Sequence, residues 1–409
     1  MKTAQLFGVM LVAIGAFAQG GANYSALGIG QTRTTFGAAY EALAGAAYAI
    51  PSDYLFSIAN PALWTLVKTT RVQGGYRFNQ QRIEQGGAFR AQNNGKLDGA
   101  ALLFAIDTSR EIAASVGLFP ATTVNYASAR NFQFQLPELG MIEGTTTYRG
   151  TGGMTIAYAG GAVRVAPGLS LGAALLYGFG IIGDQNEIQV STEASQRAVT
   201  TQTDKLSTIG VRLGTYSALG GGWSAGIAMG LFRRLEVERE IRYQSFVEGE
   251  NTPTFDTMFT SRLLSPFPST IGAGVTYTGR RWMLTLDGEW SSSHVLRYRL
   301  SPLAQARDSY RASLAVSYFG SRGAGVSFED KLTVNAGVYI QRLPVAINTR
   351  PVEEYGAAVG LQIPFGGAAM IDAAITAGVR GNGLPVREEF FRFSATISVG
   401  EVWFVPFRR

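Results

Sequence analysis

Between Arg281 and Trp290 the chain interleaves Trp282, Leu284, Leu286, Gly288 and Trp290 with Met283, Thr285, Asp287 and Glu289. A period of two puts the first set on one side of an extended strand, apolar, and the second on the other, mostly polar. Val334, Ala336, Val338 and Ile340 alternate with Thr333, Asn335, Gly337 and Tyr339 in the same way, as do Phe391, Phe393, Ala395, Ile397 and Val399 with Arg392, Ser394, Thr396 and Ser398. Each segment has the ~10 residues that a tilted strand needs to cross a bilayer. After the N-terminal segment no stretch approaches the ~18 consecutive apolar residues of a membrane helix. Yet hydrophobic types make up 46% of the chain and charged types only 16%, against about 25% charge in an average soluble protein. Apolar surface spread over alternate residues, with no continuous apolar run, fits an all-β protein, a transmembrane antiparallel β-barrel.

Fourteen such segments fit between residues 67 and 404, and an even number returns the last strand to the side where the first began. The connections Asp107 to Arg110, Ala166 to Gly168, Leu219 to Gly222, Gly279-Arg280 and Gly366-Gly367 read as short turns. Residues 125–146, 191–203, 244–267, 295–308 and 343–352 read as long polar loops. Short inner turns and long outer loops are the outer-membrane pattern, with both termini expected on the periplasmic side. Tyr216, Trp223, Tyr277, Trp282, Tyr318, Phe319, Phe365, Trp403 and Phe404 fall at the short-turn ends, as an inner aromatic girdle would. Tyr148, Phe179, Phe232, Trp290, Tyr310, Tyr339, Phe390 and Phe391 fall at the other ends.

Ahead of the strands, Lys2, an apolar run from Leu6 to Phe17 and the small-x-small triplet Ala16-Phe17-Ala18 read as a cleaved secretory signal over residues 1–18. The run is too short for a membrane anchor. Residues 19–66 lack the strand pattern: they are rich in Gly and Ala, with room for one short helix in Phe36 to Tyr48 and turn punctuation at Pro51-Ser52-Asp53 and Asn60-Pro61-Ala62. About 45 residues are too many for a lead-in, and a barrel of this size has a lumen to fill, so they read as an N-terminal plug in a 67–409 barrel.

The chain has no Cys, which removes disulfides and thiolate metal sites. The formal charge of +6 comes from scattered Arg without a block of like charge, so no nucleic-acid surface is expected. The single histidine, His294, follows Ser291-Ser292-Ser293 at the outer end of a strand. A Ser/His hydrolytic site there weighs little against a solvated rim residue. Asp287 and Glu289, with Arg380, Glu388 and Glu389, read as lumen ion pairs. No catalytic residue, metal or cofactor is expected.

Four stretches resemble the long-chain fatty acid transporter (FadL) family of outer-membrane proteins, in a divergent branch. Phe36-Gly37-Ala38-Ala39-Tyr40 to Asn60-Pro61-Ala62 is similar to the family's hatch and its Asn-Pro-Ala element. Tyr148 to Gly153, with Leu169 to Gly172 and Tyr177 to Gly180, resembles a central hairpin. Glu354-Tyr355-Gly356, Pro364 and Val379-Arg380-Gly381 resemble the penultimate strands, and Arg387 to Phe391 through Trp403-Phe404 the closing strand. The tail Val405 to Arg409 departs from the pattern.

The resemblance implies the outer membrane of a Gram-negative cell and passive, hatch-gated diffusion of hydrophobic small molecules, fatty acids or related apolar compounds. It also implies contact with outer-membrane lipid and lipopolysaccharide, and recognition of the C-terminal strand by the barrel assembly machinery. The hatch residues Gly45, Ala46, Asp53, Phe56, Asn60 and Pro61 would then line or control the ligand path, with Asp53 pairing a lumen arginine such as Arg380. A component or shuttle of a protein secretion system is the other reading, and an open porin fits less well because a plug blocks free diffusion. If the signal reading holds, N-terminal analysis of protein recovered from the outer-membrane fraction will begin at Gln19; recovery of Met1 would make the segment an anchor.

Overall fold

The computed structural model describes residues 22–33, 35–136, 140–191, 196–247, 252–301, 304–321, 325–365 and 368–403. The signal segment, the Gly366-Gly367 turn, Phe404 and the C-terminal tail lie outside them. Fourteen wall strands follow in chain order: β1 Thr70–Gln85, β2 Ala88–Asp107, β3 in two halves Ile112–Pro120 and Thr122–Leu136, β4 Gly140–Ala166, β5 Leu169–Ser191 and β6 Gln196–Gly220. Next come β7, Trp223–Phe232 with Leu235–Val247, and β8, Phe255–Ser265 with Thr270–Thr278. The ring is completed by β9 Trp282–Ser291, β10 Ser309–Tyr318, β11 Thr333–Ile347, β12 Arg350–Pro364, β13 Met370–Arg380 and β14 Val386–Glu401. Each is antiparallel to the next, and β14 closes on β1 in register from Val386↔Gln85 to Glu401↔Thr70. Closure matters because no backbone N–H or C=O can go unpaired in hydrocarbon.

The alternation read in the sequence is the alternation of the wall. On β9 Trp282, Leu284, Leu286 and Trp290 are exposed, while Met283, Thr285 and Asp287 are buried toward the lumen. Trp223 stacks obliquely on Tyr277 and Trp282 on Tyr318 at the inner end, with ring centroids 5.1 and 4.8 Å apart. Tyr148, Phe179, Trp290, Tyr310 and Phe391 are exposed toward the outer end. Tyr216, Tyr339 and Phe390 depart from the expectation: all three are buried inward, where each has a polar or cationic neighbour.

Two further expectations are corrected. The described residues of segments 125–146, 191–203 and 244–267 are largely not irregular loops but continue the ladder, and 343–352 is a tight turn between the ends of β11 and β12; β4 runs for 27 residues, β5 for 23 and β6 for 25. About 10 residues cross the bilayer, so the remainder, with the outer halves of β3, β7 and β8, forms a six-stranded sheet standing above the outer rim. Secondly, the described chain does not start at the periplasmic end. Asn23 and Tyr24 lie at the outer ends of the wall, where the Asn23 N–H donates to Glu388 Oε1 at 2.6 Å and the Tyr24 hydroxyl donates to the Val386 carbonyl. The even strand count fixes only the ends of the wall; the described residues ahead of β1 run from its outer end to its inner end before β1 begins.

Position relative to the bilayer sets the effect of a charge. Leu286→Arg, midway between the two exposed tryptophans of β9, should cost about 2–4 kcal/mol in unfolding from liposomes, and Leu264→Arg, equally exposed on the standing sheet, about 0–1. Equal costs would remove the standing sheet from the aqueous side.

Candidate ligand path

Residues 22–67 are rich in small and aromatic side chains, and most of the described ones are buried. The wall makes room with glycine: a Cβ on Gly172, Gly214 or Gly226 would overlap Ala62, Asn60 or Tyr48. Asn60 organises the inner end. Its side-chain oxygen accepts the Ala62 N–H at 3.1 Å, capping the 3-10 turn Pro61–Leu66, and its amide donates to the carbonyls of Tyr48 and Thr215. Pro61 at the first turn position needs no N–H partner there. Phe56 is buried in the main apolar cluster with Trp64, whose indole N–H donates to the Ser57 carbonyl at 2.7 Å.

A single tight turn crosses the middle of the lumen. Helix α1, Ala38–Ala42, ends in Leu43, Ala44 and Gly45, and the last two have φ of 54° and 83°. Gly45 adopts positive φ more readily than other residues do, and a Cβ there would come within 2.7 Å of Arg311 Nη2. The turn is tied to the wall at both ends. Arg311 Nη2 and Ser313 Oγ donate to the Ala44 carbonyl at 2.7 and 2.8 Å. Asp287 Oδ2 accepts the N–H groups of Ala47 and Tyr48. Ala46 is fully buried between these anchors.

Three spaces surround the turn. The outer cleft, about 880 Å³ with its open mouth, is lined by Ile29, Met154, Ile156, Phe232, Phe267 and Leu296 among others. It shares Thr32, Arg33, Glu289, Arg311 and Gln341 with a deeper polar compartment, which Gly45 and Glu41 also line. In that compartment Arg33, Arg77, Arg311 and Arg392 face Glu41, Glu289 and Glu354. On the inner side of the turn a vestibule of about 830 Å³ is lined by Leu43, Asp53, Tyr54, Met283, Phe319 and Asn335 among others.

The pairing expected between Asp53 and Arg380 is not made. Arg380 is 1% exposed and bonds Glu354 at 2.7 Å and Glu388 at 2.9 Å, both wall residues at the outer end. Asp53 is exposed at the inner vestibule, at the other end of the lumen. The hatch acid that meets lumen arginines is Glu41, paired with Arg77, with Arg392 at 3.5 Å and with Arg33 at 3.7 Å. Burial pushes the Arg33 guanidinium below its ordinary range, opposed by neighbouring Asp98. Burial, with Glu289 beside it, holds the Tyr48 hydroxyl well above its ordinary range, so it stays protonated and donates to that carboxylate. Of the expected residues, the fold gathers Gly45 and Ala46 at the turn and Phe56, Asn60 and Pro61 at the inner end. Sequence reasoning missed Glu41, Arg33, Arg77, Arg311 and Arg392. A charge within an apolar run, such as Glu41, signals a buried pair, and the wall arginines occupy inward positions of the alternation.

Leu296 and Leu300, from the stretch that follows β9, also line the outer cleft. In the same stretch Tyr298 donates to Asp204 at 2.8 Å, and Arg299 pairs with Asp184 and donates to the Gly28 carbonyl. Burial, then Asp204, raises the Tyr298 hydroxyl above its ordinary range. His294 bonds Asp308, while Ser291 and Ser293 bond each other at 3.0 Å, so no serine hydroxyl is aligned with the imidazole among the described bonds.

A protein family described as BamG matches residues 1–408. No curated protein matches. Among solved structures the chain is similar to a Pseudomonas aeruginosa FadL homologue (12% identity, TM-score 0.60, 91% of this chain and 99% of that one). It is also similar to the P. putida toluene transporter TodX (13%, 0.56, 91% and 100%) and to the Ralstonia pickettii toluene transporter TbuX (11%, 0.57, 90% and 98%). At this identity the likeness is one of fold: the closed fourteen-strand outer-membrane barrel of FadL-type channels.

Removing one partner of a buried ion cluster leaves the others uncompensated. Arg380→Met, which strands Glu354 and Glu388, should lower unfolding stability by about 3–5 kcal/mol. A change under about 1 kcal/mol in denaturant titration would mean the cluster is hydrated.

Proposed function

The chain belongs to the BamG family, and we propose that it is an outer-membrane channel for hydrophobic small molecules, fatty acids or related amphipathic compounds, crossing by passive diffusion gated by the hatch. The carrying observation is the sequence of spaces: an apolar outer cleft opens onto a compartment with four arginines, and behind it stands one turn, Leu43 to Ala47. The relatives named as toluene transporters make apolar cargo reasonable for this fold. The arginines favour cargo with an anionic end over a plain hydrocarbon.

Magnitudes support that preference. Ten buried methylenes contribute about 8 kcal/mol gross at ~0.8 kcal/mol each, and lost translational and rotational freedom removes about 4 kcal/mol or more. A charge-assisted hydrogen bond adds about 1.5–3 kcal/mol, enough to decide selectivity among ligands with equal tails. Arg311 lines both spaces and also holds the Ala44 carbonyl, so it is the candidate contact between cargo and hatch. Gly45, Ala46 and Phe56, with Asn60 and Pro61 at the hinge into the wall, would then control passage, and Asp53 would stand at the exit. The wall exterior would contact lipid and lipopolysaccharide, with the C-terminal strand β14 presented to the assembly machinery.

A barrel component or shuttle of a protein secretion system is a second reading, favoured by the standing sheet, which a conduit for small molecules does not need.

Uptake into vesicles carrying the purified protein tests the first reading. A variant lacking the hatch up to Ala59 should leak small polar solutes and lose selective uptake of a fluorescent long-chain fatty acid. Arg311→Gln should slow that uptake roughly tenfold or more, given the ~1.5–3 kcal/mol of one charged contact, and leave toluene passage unchanged. Uptake at the intact rate by both variants would make the hatch mere filler.

A further inference from the structure

The two sides of the Leu43 to Ala47 turn differ in charge. The compartment outside it holds four arginines and three glutamates. Among the residues that line the inner vestibule, the one charged side chain is Asp53, which is exposed. Arg71 lies over the Tyr54 ring at 5.7 Å but does not line the space, and it donates to Ser398 Oγ and the Ala368 carbonyl.

The polar groups set into the vestibule wall are neutral. Met283, Ser317 and Asn335 stand opposite one another in register on β9, β10 and β11, and all three are buried. Asn335 is 1% exposed, and its Nδ2 has no hydrogen-bond partner among the described residues. Other polar groups around it are engaged. Gln362 Oε1 accepts the Tyr54 hydroxyl, Thr333 Oγ1 the Gly320 N–H, and Ser52 Oγ the N–H groups of Tyr54 and Leu55. An unpaired buried amide donor is unfavourable, and it calls for a partner from outside the chain. Ser317, its neighbour across the ladder, adds a hydroxyl that can donate or accept.

Around this pair the vestibule is apolar. Leu43 and Leu55 come from the hatch, Met283 and Phe319 from the wall. The unbranched, polarisable Met283 side chain adapts to ligands of different shape. A carboxylate entering here would lose water and meet no cation, which penalises it strongly. An alcohol or amide head carries no such penalty, and it can accept from Asn335 Nδ2 while donating to Ser317 Oγ.

We propose that the inner vestibule is a binding site for uncharged amphiphiles, medium-chain alcohols or amides, with the head on Asn335 and Ser317 and the chain among Leu43, Leu55, Met283 and Phe319. Its preference is the reverse of that set by the arginines on the other side of the turn. The site stands on its own lining and requires no passage of the hatch, so uptake and binding can fail separately.

The test uses the full-length protein in lipid nanodiscs and decanamide carrying a diazirine at its chain end, with labelled residues located by mass spectrometry after irradiation. Label should fall on Leu43 to Leu55 and on the inner ends of β9 and β10. Decanol should compete at least roughly tenfold better than decanoate, given the penalty on a buried charge. Asn335→Leu keeps the side-chain size and removes the amide; it should reduce vestibule labelling about tenfold, the loss expected for one hydrogen bond to a buried group, with heat-modifiable migration of the barrel unchanged. Ser317→Ala removes the second head contact and should reduce labelling severalfold, so the test stands even if the first variant does not insert. Equal competition by decanoate, label confined to the outer cleft or the lipid-facing wall, or undiminished labelling of either variant would overturn the proposal.

Discussion

The requirement that every backbone polar group in hydrocarbon find a partner dictates most of this molecule. It forces β14 onto β1, and once the sheet closes, alternation decides which residues meet lipid and which meet the lumen. A side chain such as Leu286 has no choice of face, because a one-residue slip would turn the whole strand inside out. The same closure creates an interior that water or protein must fill. Here residues 22–67 fill it, and the close approach of hatch to wall explains glycine at 172, 214 and 226 better than any turn requirement does.

Filling a lumen lined by polar residues brings charges out of water, and isolated charges there are costly. The structure answers with clusters instead of single pairs. Glu354, Arg380 and Glu388 form one group at the outer end, joined by the Tyr339 hydroxyl at 2.6 Å from Glu354 and by the Asn23 N–H on Glu388. Glu41 with Arg33, Arg77 and Arg392 forms another beside the hatch helix. The anchors on the Leu43 to Ala47 turn belong to the same system: Arg311 and Asp287 satisfy hatch backbone groups that would otherwise be orphaned. The packing of residues 22–67 and the polarity of the compartment next to them are thus one arrangement: Arg311 lines that compartment and also holds the Ala44 carbonyl.

The wall was legible because lipid selects an apolar residue at every second position; β9, β11 and β14 could be read almost residue by residue. The standing sheet was not, because water on both faces removes that selection. Residues such as Thr145, Thr146 and Thr147 or Thr200 to Thr203 carry β-propensity but no alternation of polarity, and they read as loop. The direction of the plug was hidden for a different reason: nothing in a Gly/Ala-rich segment encodes which end of the barrel it enters, and only pairings far apart in sequence, Asn23 with Glu388 or Ser25 with Asn125, decide it. The partners of Arg380 were not identifiable from sequence, since Glu354 lies opposite it only through the register of β12 against β13.

Above the membrane the constraint that governs the wall relaxes, since water can satisfy an open edge. The ring therefore needs to be complete only between the two aromatic girdles, and strands are free to part beyond the outer one. β3 breaks at Ala121, β7 at Arg233 and Arg234, and β8 between Ser265 and Thr270. These breaks let the outer halves of β3 through β8 lean away as a sheet of their own while the inner halves keep the closed register. The hatch then does double duty: in the lumen it packs as a plug, and at the outer rim its first residues act as a fragment of strand against β3. Ser25, Gln31 and Thr32 bond Thr122, Thr123 and Asn125 at the start of the outer half of β3, so the path of these first residues is tied to the wall at the point where β3 breaks.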